Sequence, residues 1–119
     1  MRRECKIKVR EDNNAATIEI HVDMTASATK DMDAAQQEAC SHNPSSIVVK
    51  FHDKTRINSS GIAMLINLVI DSRERACKVY LMGMSDHFSK IFRMVGLTKY
   101  AEIVESVEGI RAEEDLPVE

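Results

Sequence analysis

The sequence predicts an α/β fold, a mixed sheet of four to five strands with helices packed on it, and two observations carry that expectation. Short stretches of strand periodicity alternate with longer helical ones along the chain, the order that yields a mainly parallel sheet covered by helices. The first two strand-like stretches follow each other with only a polar turn between them, so an antiparallel hairpin opens the chain and makes the sheet mixed. At 119 residues the length fits one domain spanning 1–119, able to bury roughly two-thirds of its unfolded surface.

"CKIKVR" (5–10) alternates apolar and charged residues, as a half-exposed strand does. "EDNNAA" is a turn of residues that tolerate tight backbone geometry, and "TIEIHV" (17–22) alternates again. Residues 23–42 are rich in Ala, Gln, Asp and Glu without internal glycine or proline, which predicts a helix. Its thin apolar stripe is Met32, Ala35 and Ala39, and it must end before Asn43-Pro44 because proline disfavours helix in the residue before it. "SIVVKF" (46–51) reads as a central strand.

Ile62 to Arg75 is the plainest helix, apolar on nearly all sides over its first turns and therefore expected to be packed on several sides. "KVYLMG" (78–83) is another strand. "SDHFSKIFRMVG" (85–96) places Phe88, Ile91, Phe92 and Val95 on one stripe, with Ser85 as N-cap and Gly96 as terminator. A short strand over 102–104 and a last helix near 107–113 complete the order, and the tail from about 113 reads as frayed.

Composition narrows the function. With 16 basic against 19 acidic residues the net charge is −3, which argues against direct nucleic-acid binding through the phosphate backbone. Two tyrosines, three phenylalanines and no tryptophan leave little for base stacking. Three cysteines without a Cys-x-x-Cys pair fit a reducing, cytoplasmic setting. The basic opening "MRRECKIKVR" lacks an apolar signal core, and the longest apolar run falls short of a membrane span. The histidines His21, His42, His52 and His87 have no metal-ligand spacing, and Cys40-Ser41-His42 reads as chance proximity at a helix end. No metal and no cofactor is expected. Met82, Met84 and Met94 read as core filling around the third helix, with an adaptable binding surface as the other reading.

The stretch with chemistry in it is "KTRINSSGIAMLINLVI" (54–70), where Asn58-Ser59-Ser60-Gly61 opens the apolar helix. Helix N-termini present unpaired N–H groups and the positive end of the dipole. A phosphate on a serine there meets donors rather than repulsion, and Arg56 lies three residues before Ser59. The structural reading of the same residues is a helix cap supplied by Asn58 or Ser59. Asn-Ser-Ser-Gly lacks the leading glycine of a Gly-x-Ser-x-Gly elbow, and no P-loop run occurs, so a small hydrolase is the weakest reading.

With its downstream context the motif resembles the STAS domain family, of the kind found in bacterial anti-sigma-factor antagonists. Members open a helix with an Asp-Ser-Ser-Gly-like motif continuing Leu/Ile-x-x-Leu; "INSSGIAMLINL" matches, with Asn58 in the aspartate's place. A strand, a Ser-x-x-apolar helix ending in Gly-Leu, and an acidic end follow in the family, and "VYLMGMSDHFSKIFRMVGLTKYAEIV" keeps that order. The resemblance covers residues 46–110 well and 1–45 in element order, with Asp23 of "HVDMT" where the family has an aspartate after its second strand. The glycine common before that aspartate is missing.

The resemblance implies helices mainly on one face of the sheet and a binding switch rather than an enzyme. Its partners would be an anti-sigma factor that is also a serine kinase and a serine phosphatase that reverses its mark. Ser59, the first serine of the pair, would be the phosphorylation site of a cytoplasmic monomer acting in transcription control. Ser60 would cap or pack, and Asn58, Gly61, Asp23 and Arg56 would shape the loop. The expected partner surface is this loop with the exposed face of the helix from Ile62 to Arg75. A STAS scaffold or sensor module that binds without being phosphorylated is the alternative.

Overall fold

The computed structural model describes residues 7–12, 14–41, 43–52 and 55–104. Strands β1 (Ile7–Asp12) and β2 (Ala15–Ile20) form the opening hairpin. Helix α1 (Thr29–Cys40) leads to β3 (Ser46–Phe51), α2 (Ser59–Glu74) to β4 (Lys78–Met82), and α3 (Asp86–Met94) to β5 (Ala101–Val104). The sheet runs β1-β2-β3-β4-β5, antiparallel between the first pair and parallel thereafter. The expected mixed α/β sheet is therefore present with five strands. The helix near 107–113, the tail, Cys5 and His42 lie outside the described residues.

Because each parallel step advances the sheet in the same direction, right-handed crossovers place every helix on the same face. Burial agrees. Ile18, Ile47, Val49, Leu81, Met32, Leu65, Leu68 and Phe92 belong to one cluster, whereas the opposite strand parity gives a smaller one of Val48, Tyr80 and Met82 with half-buried Val104. The thin α1 stripe is sufficient, since Met32, Ala35 and Ala39 are all buried.

Four local expectations shift. Strand β2 starts at Ala15 rather than Thr17, because Asn14 takes the left-handed turn conformation (φ 67°) just before it and Ala16 is already buried in the sheet. The helix after β2 starts late: Asp23–Thr25 stay extended or bent and a 3₁₀ turn, Ala26–Ala28, precedes α1. Helix α2 begins three residues early, at Ser59, and is packed along one side, with Ala63, Asn67 and Ile70 exposed.

The fourth shift concerns the end of α3. The helix stops at Met94, where Gly96 (φ 84°) turns the chain, so Val95 leaves the stripe and is exposed. Of the three methionines, Met82 is buried and Met84 half-buried, but Met94 stands 84 % in solvent and fills no core.

Candidate functional site

The site lies at the C-terminal end of the parallel strands, where β2 and β3 finish side by side with Ile20 opposite Phe51. The two chains do not separate there. Met24 and Ile57 form an isolated parallel bridge beyond the strands. The N–H of Met24 donates to the Arg56 carbonyl at 2.7 Å, and the N–H of Asn58 donates to the Met24 carbonyl at 3.1 Å. The N–H of Arg56 donates to Asp23 Oδ1 at 3.0 Å. Side chains anchor the same join, since Met24 is fully buried and Ile57 nearly so. The chain entering α2 is thus tied on one flank to the segment after β2.

From this tie the chain turns into α2. Asn58 is extended (φ −99°, ψ −172°) and its Oδ1 accepts the N–H of Gly61 at 3.1 Å, while its carbonyl accepts the first helical bond from Ile62. Asn58 is therefore the cap, and neither serine is needed for that task. Ser59 occupies the first helical position and is exposed; Ser60 is half-buried. Gly61 is buried for a steric reason: a Cβ there would overlap the Met24 carbonyl oxygen and lie 2.7 Å from Met24 Cβ and 2.9 Å from Ile57 Cγ2. What needs the missing side chain is the Met24–Ile57 join.

The sequence-derived residues thus meet in one place, Asp23 and Arg56 included. Asp23 acts on the loop and not as a helix cap: its carboxylate holds the Arg56 backbone, and no side-chain cap bond precedes the 3₁₀ turn or α1. Thr25 Oγ1 instead lies 2.9 Å from Ser27 Oγ. Sequence reading missed Met24 and Ile57, whose signal was an isolated apolar residue inside each of two polar stretches.

A shallow depression of about 370 Å³ adjoins the loop, lined by His21, Val22, Asp23, His52 and Thr55. The two imidazoles lie with ring centres 5.0 Å apart and planes tilted by 60°, and His21 Nε2 lies 3.4 Å from Glu19 Oε1. Among the described residues no three His, Cys, Asp or Glu side chains form a group able to hold a metal ion.

The thiols sit elsewhere. Cys40 and Cys77 are buried and line a small cavity of about 50 Å³ with Asn43, Pro44 and Arg75. Burial pushes the Cys77 thiol up to about 11 from an ordinary 9.0, and raises that of Cys40, so both are held protonated near neutral pH. None of the described helices is long and apolar enough to cross a membrane.

Comparison with known proteins fits this geometry. The family described as "Mlab, STAS domain" matches residues 7–105. Among solved structures, the anti-sigma factor antagonist SpoIIAA in its unphosphorylated form superposes with a TM-score of 0.71 at 13 % identity, covering 92 % of this chain and 99 % of that one. The Bacillus cell fate determinant SpoIIAA in the phosphorylated form superposes with a TM-score of 0.66 at 15 % identity, covering 89 % and 97 %. No protein of curated function matches in sequence. At such identities the structural likeness establishes a shared fold. With the family match spanning most of its length, this chain belongs to the STAS domain family described as "Mlab, STAS domain".

Proposed function

We propose that the chain is a phosphorylation-controlled binding protein that works as an anti-sigma-factor antagonist, with Ser59 as the acceptor. The observation that carries this reading is the division of labour at the helix start: Asn58 caps and Gly61 packs, leaving the Ser59 hydroxyl exposed on a fixed loop. The partner is an anti-sigma factor with serine-kinase activity, bound while Ser59 is unmodified and released on phosphorylation; a serine phosphatase resets the switch. The role is one of binding, not turnover. The protein acts as a cytoplasmic monomer, a setting that suits two buried, protonated thiols.

Magnitudes support release without unfolding. Phosphoserine adds about −1.5 to −2 charges near neutral pH. The positive end of α2 stabilises such a charge by about 0.3–1 kcal/mol, up to ~2. Closing a partner over an unpaired charge costs on the order of 2–5 kcal/mol. A net loss of about 2.7 kcal/mol already weakens binding a hundredfold. The interface term wins.

The experiment is affinity purification of wild-type, Ser59→Ala and Ser59→Asp chains from their native cells, with the co-purifying serine kinase quantified. Because Ser59 is exposed and acidic residues suit a first helical turn, both variants fold. Ser59→Ala retains the kinase and Ser59→Asp loses it by about tenfold or more, roughly 1.4 kcal/mol. Equal retention would refute the switch and leave the unphosphorylated scaffold.

A further inference from the structure

The end of the molecule opposite Ser59 carries a second surface. Among the described residues the exposed large apolar side chains are Ile70 (52 %), Met94 (84 %), Val95 (53 %) and Tyr100 (47 %). They come from three parts of the chain, yet the topology gathers them. Helices α2 and α3 both finish where β4 and β5 begin, and Tyr100 is the residue before β5. The Arg73 guanidinium lies over the Tyr100 ring, 4.5 Å from its centre, tying the end of α2 to the segment after α3.

The charge at this end is basic although the whole chain is net acidic. Arg73, Arg93 and Lys99 are exposed and alternate with the apolar residues along the sequence, as Ile70–Arg73, Arg93–Met94–Val95 and Lys99–Tyr100. Lys78 is exposed at the start of β4 and lines, with Lys99, an adjoining depression of about 260 Å³. Glu74 on α2 and Glu102 on β5, which lines the same depression, are the exposed carboxylates set against the four cations Arg73, Lys78, Arg93 and Lys99, and Asp71 is already paired with Arg75 at 3.2 Å. Exposed apolar residues brought to one end of a molecule and rimmed by charge mark interaction sites, and Met, Tyr and Arg are among the residues enriched at interfaces.

We infer that this surface, Ile70, Met94, Val95 and Tyr100 with its basic rim of Arg73, Arg93 and Lys99, docks an acidic segment of a partner protein that carries apolar side chains among its carboxylates. Charge complementarity selects that occupant. A bilayer-binding device sets apolar and basic residues on opposite faces of one helix; here they are interleaved over the ends of separate elements, and the apolar stripe of α3 ends in buried Phe92.

Ile70 and Arg73 lie at the far end of the helix face expected to meet the switch partner, and Met94, Val95 and Tyr100 lie on other elements, away from Ser59. Eleven residues of α2 separate Ser59 from Ile70, about 16 Å at helical rise, whereas exposed charges are screened over about 8 Å at physiological salt. A contact at this end persists when the Ser59 end is released.

The test places a photo-cross-linking amino acid at Met94, and separately at Ala63, in the full chain within its native cells, and sequences the cross-linked peptides. Met94 yields a peptide of net negative charge with apolar residues among its acidic ones. Arg93→Glu with Lys99→Glu, both at exposed positions, reduces that adduct at least tenfold with the melting curve unchanged. Combined with Ser59→Asp, the Met94 adduct stays within twofold. A basic peptide, a lipid adduct, a second copy of this chain or no adduct at Met94 overturns the inference. The Ala63 adduct reports separately on the Ser59 switch, so a failure of that switch is read from Ala63 alone.

Discussion

The Asn58 side chain makes one bond, 3.1 Å from the N–H of Gly61, and that bond decides what Ser59 is available for. Replacing Asn58 with alanine leaves that donor without its acceptor and destabilises the protein by about 1 kcal/mol, within the ~0.5–2 kcal/mol range of lost caps. Asn58→Asp, an equivalent cap that also favours the positive helix end, stays within a few tenths of a kcal/mol of the native stability. Urea denaturation measures both. Cys77 gives a pH prediction. The folded protein holds its thiol proton up to about pH 11, the unfolded chain only to about 9.0. Folding is therefore favoured by this group below pH 9, and the contribution is lost as pH rises from 9 toward 11. Melting temperatures of the native protein fall across that window, and Cys77→Ala makes the fall shallower. At this scale a cap at Asn58 or Ser59 was legible from residue type, and the structure gives that task to Asn58. Asp23 is expected beside the loop from the family resemblance, but its bond to the Arg56 backbone, 33 positions away, has no local signal in the sequence.

Between strands and helices, the element that sets the site is the join of Asp23–Met24 to Arg56–Asn58. Gly61 is its steric condition. A Gly61→Ala change should gain about 1 kcal/mol from helix propensity, but its methyl group would enter space held by the Met24 backbone. Overpacking against atoms that cannot step aside costs about 1–3 kcal/mol. The net effect is destabilising, with faster hydrogen exchange at the amides of Met24 and Asn58, the two donors of the join. Exchange no faster than in the native protein would show that the join does not depend on Gly61. Period and caps made β3 and the body of α3 readable, with Ser85 accepting from the Phe88 N–H as its spacing predicts. The start of α1 was unreadable for a physical reason: residues 23–25, which run straight into a stretch of good helix propensity, are held back by pairing to a segment more than thirty residues later.

For the molecule as a whole, alternating strands and helices specified the mixed sheet, and right-handed crossovers then fixed which face the helices cover. Sequence pattern could not assign the exposed end formed by Met94, Val95 and Tyr100, because apolar residues at helix ends have the same spacing whether or not the chain turns beneath them. One fold thus carries two separated surfaces, with Ser59 at the start of α2 and the basic-apolar end at its finish. The central claim concerns the first, and mass spectrometry of the protein isolated from its native cells tests it most directly. Trypsin cuts after Arg56 and Arg73 and releases a peptide whose hydroxyl side chains are those of Ser59, Ser60 and Ser72. Ser72 is buried, so a phosphate on the folded protein must choose between the two serines of the motif. The account predicts phosphate on Ser59 in part of the population, its share changing with growth conditions. A peptide that stays unmodified in every condition, or carries its phosphate on Ser60, would contradict it.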